Sequence, residues 1–118
     1  MRRMRTSDSD PAPALAELPF HILLALGDGP SHGYAIGKDI EERSGGRLDP
    51  TTGALYQALG RLAAEGLIAA VDGPGNVDPR RKYFALTSQG RRAAAAEARR
   101  LDALVRAARK RKLFPQKA

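Results

Sequence analysis

Residues 51–68 read TTGALYQALGRLAAEGLI, and this stretch decides the fold. A threonine pair opens it, a glycine at 66 ends it, and leucines recur between them at helical spacing. The pattern predicts a helix whose buried stripe is Leu55, Leu59, Leu62 and Leu67. The opposite side is expected to carry Thr52, Tyr56, Gln57 and Arg61, with the small residues Gly53 and Ala54 beside them. Surface helices of small soluble domains more often show Lys and Glu there. Hydrogen-bonding side chains and a bare backbone suit a helix that meets a partner.

Upstream, LAELPFHILLAL (15–26) is dense in apolar residues, and GDGP (27–30) stops it, with Pro19 expected in the first turn of a helix or at a kink in it. Ser31 is the expected N-cap of a second helix, SHGYAIGKDIEERSGG. Ala35, Ile36 and Ile40 share one face of it, and Gly45-Gly46 ends it. Asp49, Thr51 and Thr52 compete as N-cap of the third helix. Downstream, 67–71 and 82–86 (KYFAL) read as two strands around the turn-rich DGPGNVDPRR, a β-hairpin with a long tip. Thr87 then caps a last helix.

In that helix Ala94, Ala98, Leu101, Val105 and Ala108 follow heptad spacing, with Leu104 alongside. A helix from 87 to about 112 is roughly 38 Å long, more than the domain needs for its own packing. Pairing with a second copy is therefore expected, with Leu15, Leu18 and Ile22 of the first helix contributing. The predicted fold is mainly α with a small β-hairpin: a winged helix-turn-helix followed by a long C-terminal dimerisation helix. Its divisions are a disordered leader over 1–14, the winged helix over 15–86, the last helix over 87–112 and a tail over 113–118.

The chain has 118 residues, enough for one domain with one modest core. Its net charge of +7 and pI near 10.4 favour an anionic partner without choosing among anions. Cysteine is absent, which excludes disulfides and thiolate zinc sites, and the longest apolar run is too short to span a bilayer. A cytoplasmic protein is expected. Arg2, Arg3 and Arg5 could form a basic arm, although Asp8 and Asp10 oppose that reading. The basic run RKRK at 109–112 suits the C-terminal end of the helix dipole and solubility. His21 and His32 show no metal-ligand spacing, and Glu41 and Glu42 diverge on a helix. Neither a metal, a cofactor nor an enzyme is expected.

Three helices followed by a hairpin is the order in which a third helix enters the DNA major groove and the hairpin lies over neighbouring backbone. Thr51 and Thr52 then sit where a phosphate meets free N–H groups, with Gly53 allowing close approach. Gln57 can pair with adenine edges, Tyr56 offers a ring and a hydroxyl, and Arg61 reaches guanine or phosphate. Arg80, Arg81 and Lys82 are expected at the start of the wing strand as phosphate contacts, and His32 as a helix-start residue near phosphate. Tyr34 and Tyr83 are expected to be packing residues.

Several ordered motifs together resemble the PadR family of bacterial transcriptional regulators. They are His32-Gly33-Tyr34, Gly53 to Leu59, Arg80 to Tyr83, and Leu86-Thr87, within a resemblance that covers roughly 18–92. The resemblance implies a homodimer joined through C-terminal helices, binding a palindromic operator, usually as a repressor. It also implies release of DNA by a small hydrophobic or aromatic effector. Two positions depart from the family pattern. Thr51-Thr52 stands where a serine-proline is frequent, and Gly60 where an arginine or histidine is frequent. The alternative reading is a winged helix that docks on another protein without reading DNA sequence.

Overall fold

A computed structural model describes residues 14–75, 78 and 80–115. The predicted leader, with Arg2, Arg3 and Arg5, lies outside the described residues apart from Ala14, as do residues 116–118 of the tail. The first helix, α1 (Glu17–Ala25), starts after Ala16 without a side-chain cap and has Pro19 in its opening turn. The second, α2 (Gly33–Arg43), is capped by His32, whose Nδ1 accepts the Ala35 N–H at 3.3 Å. Ser31 is therefore not the cap. It pairs with Phe84 in a short strand, β1 (Ser31–His32), and that extended pairing moves the helix start on by one residue. Gly45 and Gly46 follow α2 with φ of 66° and 83°, and the Gly46 N–H donates to the Glu41 carbonyl at 2.8 Å.

Thr51 caps the third helix, α3 (Thr52–Ala64), by accepting the Ala54 N–H at 3.1 Å. At its far end Gly66 takes φ 80°, and the Leu67 N–H closes back on the Leu62 carbonyl at 3.0 Å. The expected leucine stripe is buried in full. The hairpin strands are β2 (Ile68–Val71) and β3 (Tyr83–Leu86), antiparallel, with Ile68 opposite Leu86 and Val71 opposite Tyr83. The sheet has three strands in the order β1-β3-β2, one more than the hairpin expected. Two residues are too few to show an alternating pattern.

The core joins Ile22, Leu23 and Leu26 of α1 to Ile36 and Ile40 of α2, the α3 leucines, Ile68 and Phe84. Ile22 is 0% exposed, so its expected place in a dimer contact is corrected: the domain's own core encloses it.

The last helix, α4 (Ser88–Lys110), is about 34 Å long for its 23 residues. Thr87 caps it by accepting the Gly90 N–H at 2.9 Å, while the Thr87 hydroxyl donates to the Gly66 carbonyl at 2.7 Å. A single residue thus ties the end of α3 to the start of α4. Ala93 and Ala94 pack on the core, and Glu97, 4% exposed, accepts the Leu15 N–H at 3.0 Å and pairs with Arg100. Beyond that point α4 leaves the domain, with Ala98 and Leu101 exposed and Leu104 57% exposed.

Candidate nucleic-acid interface

Helical periodicity divides the outer surface of α3 into two flanks rather than the single face expected. Gln57 and Arg61 border a cleft of about 860 Å³ against the start of α1 and the start of α4. Its floor includes Leu15, Leu18, Leu62 and Leu67. Tyr56 lies on the other flank, where it meets α2 and the wing. Thr52 also turns that way, sharing a shallow depression with Leu55, Tyr56 and α2. Thr51 and Gly53 are exposed at the helix start, and a Cβ added at Gly53 or Gly60 would meet nothing within 4 Å. The side of α3 away from the core is therefore nearly bare, with Gln57 and Arg61 as its long polar side chains.

Tyr56 is only partly the free groove residue expected. It is 44% exposed, but its hydroxyl stands 2.3 Å from where a Cβ on Gly33 would lie, so the ring rests on the first residue of α2. A side chain at position 33 would require the Tyr56 ring to shift. The more exposed tyrosine is Tyr34, at 73%, which was expected to pack. Its position off the Ile36–Ile40 stripe is the signal that could have found it.

Arg80, Arg81 and Lys82 are all exposed, but they precede β3 rather than lying on it. The Arg81 N–H donates to the Asp78 carbonyl at 2.9 Å, making a turn that ends where Tyr83 enters the sheet. Arg80 grips Asp78 through its backbone N–H at 2.9 Å and its guanidinium at 3.0 and 3.2 Å. These hydrogen bonds hold the Asp78 carboxyl below the usual carboxylate range. Arg81 Nη1 lies 3.3 Å from Nε2 of His32, and the His32 ring stands edge-on to Tyr83 with centroids 5.2 Å apart. Burial, and then the Arg81 charge, push His32 below the ordinary imidazole value.

These groups converge. A cleft of about 560 Å³ is lined by His32, Tyr34, Tyr56, Arg80, Arg81 and Lys82, with Asp78 its one carboxylate. Three cations, hydroxyl groups and an imidazole around one hollow suit an anion. The first turn of α2 opens onto the same hollow.

Apart from Ile22, the residues expected at a dimer contact are half-buried or exposed. Leu15 and Leu18 are half-buried at the base of α4, Ala94 packs on the core, and Leu101 and Leu104 are exposed farther out, with Val105 and Ala108 half-buried beside them. His21 faces Arg43, whose guanidinium approaches its Nδ1 to 2.7 Å and pairs with Asp39. Among the described residues no group of three or more His, Asp or Glu side chains could hold a metal, and no helix is long and apolar enough to cross a membrane.

Residues 22–96 match the transcriptional regulator PadR-like family. A Streptomyces fradiae protein, described as an uncharacterized 37.1 kDa protein in transposon TN4556, is 49% identical over 70 residues, 59% of this chain and 19% of that protein. The chain thus spans less than a fifth of that relative's length. A transcriptional regulator from Clostridium thermocellum superposes with a TM-score of 0.66 at 26% identity, over 79% of this chain and 87% of that one. A PadR family transcription regulator from Clostridium difficile shares the fold with a TM-score of 0.67 at 22% identity, over 79% of this chain and 95% of that one. Bacillus subtilis PadR, in complex with operator DNA, gives 0.58 at 26% identity, over 66% of this chain and 44% of that one.

Proposed function

The chain belongs to the PadR-like family of transcriptional regulators, and from that premise we propose that it binds a palindromic operator as a homodimer and represses transcription from it. The observation that carries the reading is the shared cleft in which Tyr56 of α3, His32 at the start of α2 and Arg80, Arg81 and Lys82 of the wing meet. It sets the Tyr56 flank of α3 beside a cationic turn, and a helix lying in a major groove needs such cations near the phosphate backbone.

In this reading Gln57 and Arg61 contact base edges, because they are the long polar side chains on the outer side of α3. Gly53, Gly60 and Ala54 let the backbone come close. Thr51 and Thr52 meet a phosphate at the helix start, and Arg80, Arg81 and Lys82 meet phosphates beyond the groove. Two copies pair through Ala98, Leu101, Leu104, Val105 and Ala108 of α4, with Leu15, Leu18 and Ala94 at the base. The exposed apolar stripe on the outer half of α4 supports that pairing. It sets the half-sites roughly 34–36 Å apart or at a multiple of that distance.

A small apolar or aromatic effector releases the DNA in this account. Support comes from the cleft between α1, α3 and α4, whose apolar floor lies under Gln57 and Arg61. The test of the whole reading is the double substitution Arg80→Ala and Arg81→Ala, measured on duplex DNA across salt. A DNA regulator loses affinity, and the slope of log K against log salt becomes shallower by up to about 1.8 if both side chains contact phosphate. An unchanged slope would instead favour docking of the winged helix on another protein.

A further inference from the structure

Neutral imidazole has one ring nitrogen that accepts and one that donates. At His32 both nitrogens face donors: Nδ1 receives the Ala35 N–H at 3.3 Å, and Nε2 lies 3.3 Å from Arg81 Nη1. Keeping the α2 cap requires the lone pair on Nδ1, which places the ring proton on Nε2, against the Arg81 guanidinium. The opposite tautomer satisfies Arg81 and abandons the cap. Within the neutral ring one N–H is therefore left without its acceptor, and an oxygen anion between Nε2 and Arg81 resolves the conflict. It accepts from both, and it lets the ring carry a second proton, although a protonated Nδ1 gives up the Ala35 bond.

The surroundings favour an anion from outside the chain. On the wing side the groups are Arg80, Lys82 and Asp78, and the Asp78 carboxylate is already engaged by Arg80. On the α2 side Lys38, Asp39 and Glu42 border the outer edge of the ring, with Asp39 paired to Arg43. Tyr83 of β3 presents its ring, and Tyr34 and Tyr56 line the hollow from α2 and α3.

We infer that His32 and Arg81 form a clamp for one phosphodiester group of the bound DNA, and that closing it takes up a proton at His32. The inference rests on the DNA-binding reading above and adds a regulation to it: affinity that depends on pH near neutrality. The free protein starts from a His32 that burial and Arg81 keep neutral. A phosphate beside the ring reverses that bias, so binding strengthens as pH falls. Each unit by which DNA raises the His32 pKa makes binding about tenfold tighter below both values than above them.

The experiment is an NMR titration of both histidine rings of the full chain from about pH 5.5 to 8. It is run on the free protein, with a mixed-sequence duplex and with inorganic phosphate. His21, beside Arg43 and away from the hollow, serves as the internal reference. The expected result is a His32 value that rises with duplex while that of His21 stays put. Duplex affinity should rise over the same range as pH falls, and lose that dependence in His32→Asn, which keeps an N-cap acceptor. Duplex binding with an unmoved His32, or the same pH dependence in His32→Asn, would overturn the clamp and leave DNA binding intact. A shift with phosphate but not with duplex would assign the hollow to a free anion and also overturn it. No binding to duplex at any pH would remove the DNA reading and the clamp with it.

Discussion

Glycines of this fold carry opposite constraints at residue scale. At Gly90 an added Cβ would stand 1.9 Å from the Leu67 carbonyl oxygen, whereas at Gly60 it would meet nothing within 4 Å. Gly90→Ala should therefore destabilise by about 3 kcal/mol, since backbone must move. Gly60→Ala should stabilise by about 1 kcal/mol, because a mid-helix glycine loses its entropy penalty. Urea unfolding of the two variants measures both signs. If Gly60→Ala is more stable yet binds DNA less well, the bare backbone of α3 serves close approach to the groove. Gly33 is intermediate, because its obstacle is the end of a flexible side chain. Gly33→Ala should cost stability in the wild-type background and much less with Tyr56→Ala, a coupling that a double-mutant cycle reads directly. Glu97 contributes one part of the pH dependence of stability in acid. Hydrogen bonds from Arg100 and from the Leu15 N–H hold its carboxyl below the ordinary value of 4.5. A depressed carboxylate contributes stability that is fully present above its unfolded value and is lost as pH falls through the folded one. Acid unfolding followed by circular dichroism should show that loss below about pH 4.5, and Glu97→Gln should flatten it.

Among the elements, the junction between α3 and α4 rests on one residue. Thr87 caps α4 and donates to Gly66, and its own N–H reaches the Leu67 carbonyl at 3.1 Å. Thr87→Ala should lower stability by about 1–2 kcal/mol in thermal or urea unfolding, since it removes a cap and a second hydrogen bond together. The outer half of α4 behaves differently, because little of the domain covers it. Leu104→Glu should leave the unfolding midpoint of the winged domain nearly unchanged and shift sedimentation from dimer to monomer. The elements also explain which parts of the molecule were legible in the sequence. Thr87 as a cap, the leucine stripe of α3 and the β2–β3 hairpin follow from local pattern, because each is fixed by neighbours in the chain, whereas that pattern leaves Thr51 as one of three candidate caps with Asp49 and Thr52. β1 and the move of the α2 cap from Ser31 to His32 depend on pairing with Phe84 and Tyr83, some fifty residues away, which no local period records. The same holds for Glu97, whose partner Leu15 is 82 positions distant. In the candidate interface the residue types were legible, but their grouping was not. Tyr56 and Gln57 are adjacent in sequence and diverge around the helix, so the outer surface splits into two flanks.

The molecule as a whole joins a compact winged domain to a helix that projects from it, and it carries a net charge of +7. The cationic turn and Tyr56 share one hollow, Gln57 and Arg61 border the cleft toward the starts of α1 and α4, and Leu101 and Leu104 are exposed farther along α4. Charge alone would give weak binding to any duplex, steeply dependent on salt. Sequence reading adds a preference that charge cannot supply. The most direct measurement is binding to a duplex carrying the promoter upstream of the chain's own gene, against a scrambled duplex, across a salt series. The account predicts at least about a thousandfold preference for the promoter at physiological salt, together with a steep salt slope on both duplexes. Equal, weak binding to the two, with the same slope, would contradict it.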